Sequence, residues 1–285
     1  MGNPAGPPQP EMVPPAGQAI DPTEALRQLI TESVAERPAA VNAHTYIRKW
    51  DSASRPVALK CDDGNVYVVK ARQPGNPGMH RAIANEQIVG RLGILIHAPI
   101  PPITQVEVPA DLVANQPEMA HMASGLAHGS LFSEDLTDKL PTSHVDIPEN
   151  RGRFALLAVL YGWVLAADHQ FFYTKSIPQL VHSVDHAYFF PGQNAWTIQL
   201  LAQAGPPQPD QTIVQGCKLT QQELHAAIRA ISPTDRQALA CTVALPPDEW
   251  GLTMDERVAV LEYLISRRDV LVGLLPAQEN RGEQV

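Results

Sequence analysis

Cysteine is scarce in this chain of 285 residues. Its three copies, Cys61, Cys217 and Cys241, are widely spaced, odd in number and form no C-x-x-C pair. That argues against a disulfide framework and for a reducing, cytoplasmic setting. The thiols read as small buried residues. Basic residues are outnumbered, 21 Lys and Arg against 30 Asp and Glu, for a net charge of −9. No basic stripe is present to hold nucleic acid, and an acidic chain has no general attraction to anionic lipid. Long hydrophobic runs are missing too. The longest, residues 154–167, falls short of the roughly 20 residues that span a bilayer and reads as a buried helix. The first residues show no basic cluster followed by an apolar stretch, so no secretory signal is expected. Nor does the chain contain G-x-S-x-G or H-E-x-x-H, which removes the usual signs of a serine hydrolase or a zinc protease.

What remains is a chain that is 44% hydrophobic, enough for a substantial core in one or two lobes. Seven of its 27 prolines fall in the first 22 residues, so residues 1–20 are expected as an extended or disordered arm. Asp21-Pro22-Thr23-Glu24 reads as a helix start. Leu26, Leu29, Ile30 and Val34 follow at helical spacing, and Pro38 closes the segment. Between residues 43 and 71 the period falls to two. Val57, Leu59 and Cys61 lead to a turn at residues 62–65, and Val66, Val68 and Lys70 then share one strand face, which predicts an antiparallel hairpin. A helix is expected over 80–92 with Gly93 as its C-terminal cap, then a strand over 103–108, then irregular chain over 109–150 that includes His128 and His144. The apolar helix follows, then a strand over 180–184 and a Pro/Gln/Gly linker over 201–212. Three helices close the chain, opened by Thr220-x-x-Glu223, by Ser232-Pro233-Thr234-Asp235 and by Thr253-x-x-Glu256.

Four of these residues form an ordered set. Phosphoryl transfer needs a cation on the nucleotide phosphates, an acid to hold that cation, a carboxylate for metal and a base near the acceptor hydroxyl. Lys70 ends an apolar strand. Glu86 lies in the next helix and is placed to pair with it. Asp168 stands where the apolar helix runs out, and Asp185 ends an apolar strand. Taken singly, each has an ordinary reading: a strand-end lysine, a surface glutamate, two turn-forming aspartates.

Together they resemble the HipA-like kinases, and more distantly the phosphatidylinositol kinases. The stretches that carry the resemblance are 66–71, Asn85-Glu86 with Arg91-Leu92-Gly93, and Pro99-Ile100-Pro101-Pro102. Residues 125–130 match as a short Gly-Ser loop, followed by Asp168-His169, residues 184–189, 245–250 and 264–268. The resemblance covers about residues 43–275. It implies an α+β, two-lobed protein-kinase-like fold: a helix and β-rich N-lobe over 21–120, and a helical C-lobe over 121–285. It implies ATP and Mg²⁺ as cofactors, with Lys70 on the phosphates, Glu86 bracing it, Asp168 as catalytic base, Asp185 as metal ligand and Ser130 near phosphate. The acceptor would be a hydroxyl of a protein or small molecule.

The chain departs from the family where an asparagine is expected five residues after the catalytic aspartate, because that position is Tyr173. A phenol is a poor Mg²⁺ ligand. The pattern therefore also admits a catalytically degenerate pseudokinase acting as a binding or regulatory protein. Phe171-Phe172-Tyr173, expected as an aromatic loop, and the Pro-rich arm are the places where a protein partner would dock. A third reading uses His169, His182 and His186 with the aspartates as a metal site, although no H-x-H spacing supports it.

Overall fold

The computed structural model describes residues 21–76, 78–138 and 147–276. The expected arm over 1–20 and His144 lie outside these residues. Five strands form a closed barrel: β1 (Val41–Lys49), β2 (Val57–Cys61), β3 (Val66–Lys70), β4 (Ile103–Val108) and β5 (Gly125–Leu131), in the order β1-β2-β3-β5-β4. A parallel pair between β1 and β4 closes it. The predicted hairpin is present, with Val57 opposite Val69 and Lys60 opposite Val66. Strand alternation sorts its side chains. Val57, Leu59, Cys61, Tyr67 and Val69 fill the barrel with Val106, Val108 and Ala127. Val66, Val68 and Lys70 take the other face.

β5 is the strand that sequence patterning misses. Residues 125–130 were expected as a loop within irregular chain, on the helical side of a boundary at 120/121. They contain two glycines and no β-branched residue, so local propensity is poor. They form a strand because β3 and β4 present free edges on either side, with Lys70 opposite His128 and Ile103 opposite Ser130. His128 is therefore a buried strand residue and not a loop residue.

α1 (Pro22–Val34) starts as predicted, with the Asp21 carboxylate accepting the Thr23 N–H at 2.8 Å. Although expected alongside the strands, it lays Leu26 and Ile30 on the helical core. α2 (Gly78–Leu95) joins β3 to β4 and runs straight through Gly93. That glycine is no cap. A Cβ there would stand 2.5 Å from Ile100 Cγ1 and 3.1 Å from Leu160 Cδ2, so its role is close packing.

After the short α3 (Ala110–Asn115) and β6 (Leu136–Thr137) comes α4 (Pro148–Val164), apolar on all sides from Phe154 onward because the rest of the helical body surrounds it. β7 (Phe171–Thr174) and β8 (Val181–Ser183) complete a second sheet, β6-β7-β8. The body is finished by α5 (Ile198–Ala202), α6 (Gln211–Gly216), α7 (Gln221–Ile231), α8 (Arg236–Ala244) and α9 (Met254–Val272). Both predicted capping boxes form, at Thr220–Glu223 and Thr253–Glu256. Asp235 caps α8. Among the described residues no helix is long and apolar enough to cross a membrane.

Gly162 of α4 lies against the backbone of Gln208, where an added Cβ would overlap the Gln208 carbonyl oxygen. Backbone cannot rotate aside as a side chain can. Gly162→Ala is expected to lower the unfolding free energy by about 3 kcal/mol in urea titrations. Gly152→Ala, on the same helix with open space around it, is expected to leave stability unchanged or raise it slightly.

Candidate active site

The Lys70 ammonium is buried between two carboxylates. It donates to Glu86 Oε1 and lies 2.8 Å from Asp185 Oδ1. Lys70 is 8% exposed and Glu86 3%, whereas the Asp185 side chain keeps 31% of its surface open. Burial alone would push the Lys70 pKa down, but the charges of Glu86 and Asp185 outweigh it and hold it above the ordinary value. For Asp185 burial wins over the attraction. Burial, then repulsion from Glu86, raises its pKa against the pull of Lys70. The strand lysine, the helix glutamate and the post-strand aspartate thus meet at one point.

The two aspartate loops are bonded to each other. α4 ends at Leu165 in the left-handed conformation, φ 62°, and Asp185 has φ 60°. Such a φ is costly for leucine and tolerated by aspartate. Between the loops, Ala166 bridges Phe189, the Ala167 N–H donates to Tyr188 O at 3.2 Å and the Val184 N–H donates to Gln170 O at 3.2 Å. Asp168 is exposed beside this seam, its Oδ1 accepting the His169 N–H at 2.8 Å. His169 Nε2 lies 3.0 Å from Asp210, which raises the pKa of the ring.

Several supporting contacts were not expected from the sequence. Asn85 Nδ2 donates to Ala187 O at 2.8 Å and to Phe189 O at 3.1 Å, and its Oδ1 accepts the Trp196 indole N–H at 2.9 Å. Glu86 Oε2 accepts the His186 N–H at 2.9 Å. Two neighbouring residues of α2 therefore clamp the segment after Asp185. The Ser183 hydroxyl lies 2.9 Å from His186 Nε2 and 2.6 Å from the Tyr161 hydroxyl. His128 Nδ1 is 2.9 Å from Gln87 Oε1, and burial followed by the Lys70 charge keeps this ring neutral. The available signal was a run of three polar residues, Asn85-Glu86-Gln87, in an otherwise apolar helix stretch. All three are buried, and buried polar groups need partners.

Ser130 is half-buried on β5, opposite Val68 and two residues from His128 on the same strand face. The aromatic segment expected as a loop is strand β7. Phe171 packs edge-on against Phe154 at 5.5 Å, and Tyr173 is 4% exposed in the helical core. Among the described residues no group of three or more His, Cys, Asp or Glu is placed to hold a metal ion, and His169, His182 and His186 do not assemble into one.

This arrangement sits in a kinase-like fold. A proinflammatory kinase of Helicobacter pylori, CtkA, is similar over 82% of this chain and 96% of its own, with a TM-score of 0.55 and 10% identity. A Golgi casein kinase aligns over 89% of this chain and 77% of its own at 10% identity, but its TM-score of 0.41 is too low to carry weight. No curated protein matches the chain in sequence. The family model described as HipA-like kinase matches residues 46–186, from β1 to the residue after Asp185. The resemblance to HipA-like kinases is thereby borne out over the segment that carries Lys70, Glu86, Asp168 and Asp185.

Two measurements probe this network. Asn85→Ala removes the partner of three carbonyls, those of Ala187, Phe189 and Gln193, and of an indole N–H, and is expected to cost about 2–3 kcal/mol in unfolding free energy. Burial, then Lys70, pushes the His186 ring down to about 3, and burial, then Arg153, pushes His182 down to about 4. In the unfolded chain both titrate near 6.5. Their contribution to stability is therefore complete above about pH 6.5 and is lost as pH falls toward 4 and then 3. NMR of the imidazoles at pH 5 should find both rings neutral, and His186→Gln should flatten the decline in stability below pH 6.5.

Proposed function

We propose that this chain is a kinase-type phosphotransferase that moves the γ-phosphoryl group of ATP to a hydroxyl of a protein or small molecule. In this reading the barrel is the small lobe, the helical body is the large lobe, and the site lies between them. The observation that carries it is the buried Lys70–Glu86 pair with Asp185 on the same ammonium, inside the segment that matches HipA-like kinases.

Each residue then has a role. Lys70 supplies fixed positive charge to the nucleotide phosphates, and Glu86 holds it there. Asp168, exposed and oriented by the His169 N–H, accepts the proton of the acceptor hydroxyl as its oxygen attacks phosphorus and ADP leaves. Ser130 offers a hydroxyl on the strand face that carries Lys70. Magnesium commonly takes one or two protein carboxylates and completes its shell with phosphate oxygens and water. The part-exposed Asp185 fits that use. A bound ion would neutralise the charge developing on the phosphoryl oxygens. The position of the family's second ligand is Tyr173, which is buried in the helical core. That burial favours the second reading, a degenerate kinase that binds nucleotide and regulates a partner.

Labelled ATP separates the two. With Mg²⁺, the wild type is expected to label itself or an added protein acceptor. Lys70→Met and Asp185→Asn should abolish transfer, and Asp168→Asn should slow it about 10²–10⁴-fold. Thermal stabilisation by ATP and Mg²⁺ without any transfer supports the degenerate reading. Neither transfer nor stabilisation overturns both.

A further inference from the structure

A cavity of about 300 Å³ lies between the end of α1, the last turns of α2 and α8. Its volume is at the lower end of the range for small-molecule sites. Ile94, Leu95, Ala238 and Leu245 give it an apolar wall, and Arg91 is the one basic residue in its lining. Arg91 Nε is buried without a hydrogen-bond partner. No carboxylate among the described residues pairs with it. Burial alone acts on its ionisation, and it disfavours the charge. The guanidinium is half-buried, and its Nε is left without the hydrogen bond that buried polar groups normally have.

The two fully buried arginines among the described residues are provided for. Arg257 donates to the carbonyls of Val243 and Pro246 and to Asp248, and Arg267 to those of Trp163, Gly205 and Gly162. The lining also carries an acid, Glu36, which is exposed and accepts from the Cys241 thiol at 3.2 Å, and its charge opposes an anion in the cavity.

We propose that this cavity binds a small organic anion, a carboxylate with an apolar body. The Arg91 guanidinium pairs with the carboxylate, and Ile94, Leu95 and Leu245 cover the apolar part. A planar guanidinium fork matches a carboxylate geometrically. Arg91 lies on α2 five residues after Glu86, about 140° around the helix axis. The helix that holds Lys70 thus also forms one wall of the cavity. The inference stands apart from the phosphotransferase reading and does not need it.

Hexanoate is the probe, with hexanol as its neutral control, read by calorimetric titration and by alkylation of Cys241 with iodoacetamide. Cys61 and Cys217 are buried and Cys241 is half-exposed in the cavity lining, so mass spectrometry reads the site directly. Hexanoate should bind one-to-one and slow Cys241 alkylation, and hexanol should bind at least about 10-fold more weakly. Arg91→Gln should weaken hexanoate by about 10-fold or more, and Glu36→Gln should tighten it. Should Arg91→Gln not fold, Ala238→Leu, which fills the cavity, should abolish both the binding and the protection of Cys241. The proposal is overturned by no saturable binding at millimolar hexanoate, by binding that leaves Cys241 unprotected, or by binding undiminished in Arg91→Gln or Ala238→Leu.

Discussion

The burial of the Lys70 ammonium between Glu86 and Asp185 is the constraint on which the rest of the site depends. A lysine that is 8% exposed has lost most of its hydration, and only close carboxylates offset that loss. The carboxylates arrive from separate parts of the chain: Glu86 on α2, packed across the barrel, and Asp185 from the loop after β8 in the helical body. Holding the charge therefore requires barrel, α2 and helical body to meet at one point. Replacing a buried ion pair or triad by apolar residues of similar volume is often neutral or stabilising. The retained charges thus make better sense as a functional device than as a stabilising one.

Around that point the backbone is organised by α2. Asn85 and Glu86 bind the segment after Asp185 through three hydrogen bonds, and the Pro99 carbonyl that follows α2 accepts the Ser183 N–H at 2.8 Å. The left-handed residues Leu165 and Asp185 sit in the two loops so held. Conformational strain of this kind persists only where surrounding contacts over-determine it. Here the contacts are the bridge between the loops and the clamp from α2.

The same geometry explains why Tyr173 does not act as a substitute ligand. Its strand is pinned between β6 and β8, and its ring belongs to the helical core. The residue that departs from the family pattern is thus a core residue. On the reading proposed above, Asp185 would be the carboxylate offered to a nucleotide-borne metal, without a second protein ligand from position 173.

Local chemistry made much of this legible in the sequence. The Asp21 cap, the Val57–Lys70 hairpin, the strand over 103–108 and the two capping boxes all depend on residues within a few positions of one another, and all appear where the pattern puts them. The four charged residues proposed for the chemistry were legible as types at element ends, and the family resemblance gave them an order. What the sequence could not express was proximity. β5 is poor in strand propensity and exists because two strands flank it, Gly93 is a packing contact because Ile100 and Leu160 press on it, and α1 lies on the helical body because its apolar stripe finds its cover there. Asn85, His128 and the unpaired Arg91 looked like ordinary polar residues until burial gave them consequences. By itself the sequence determined the local elements and the charged residue types, since these rest on short-range backbone and capping energetics. Which charges meet, and which is left alone, only the tertiary structure decided, because burial sets the cost of a charge and depends on the whole chain.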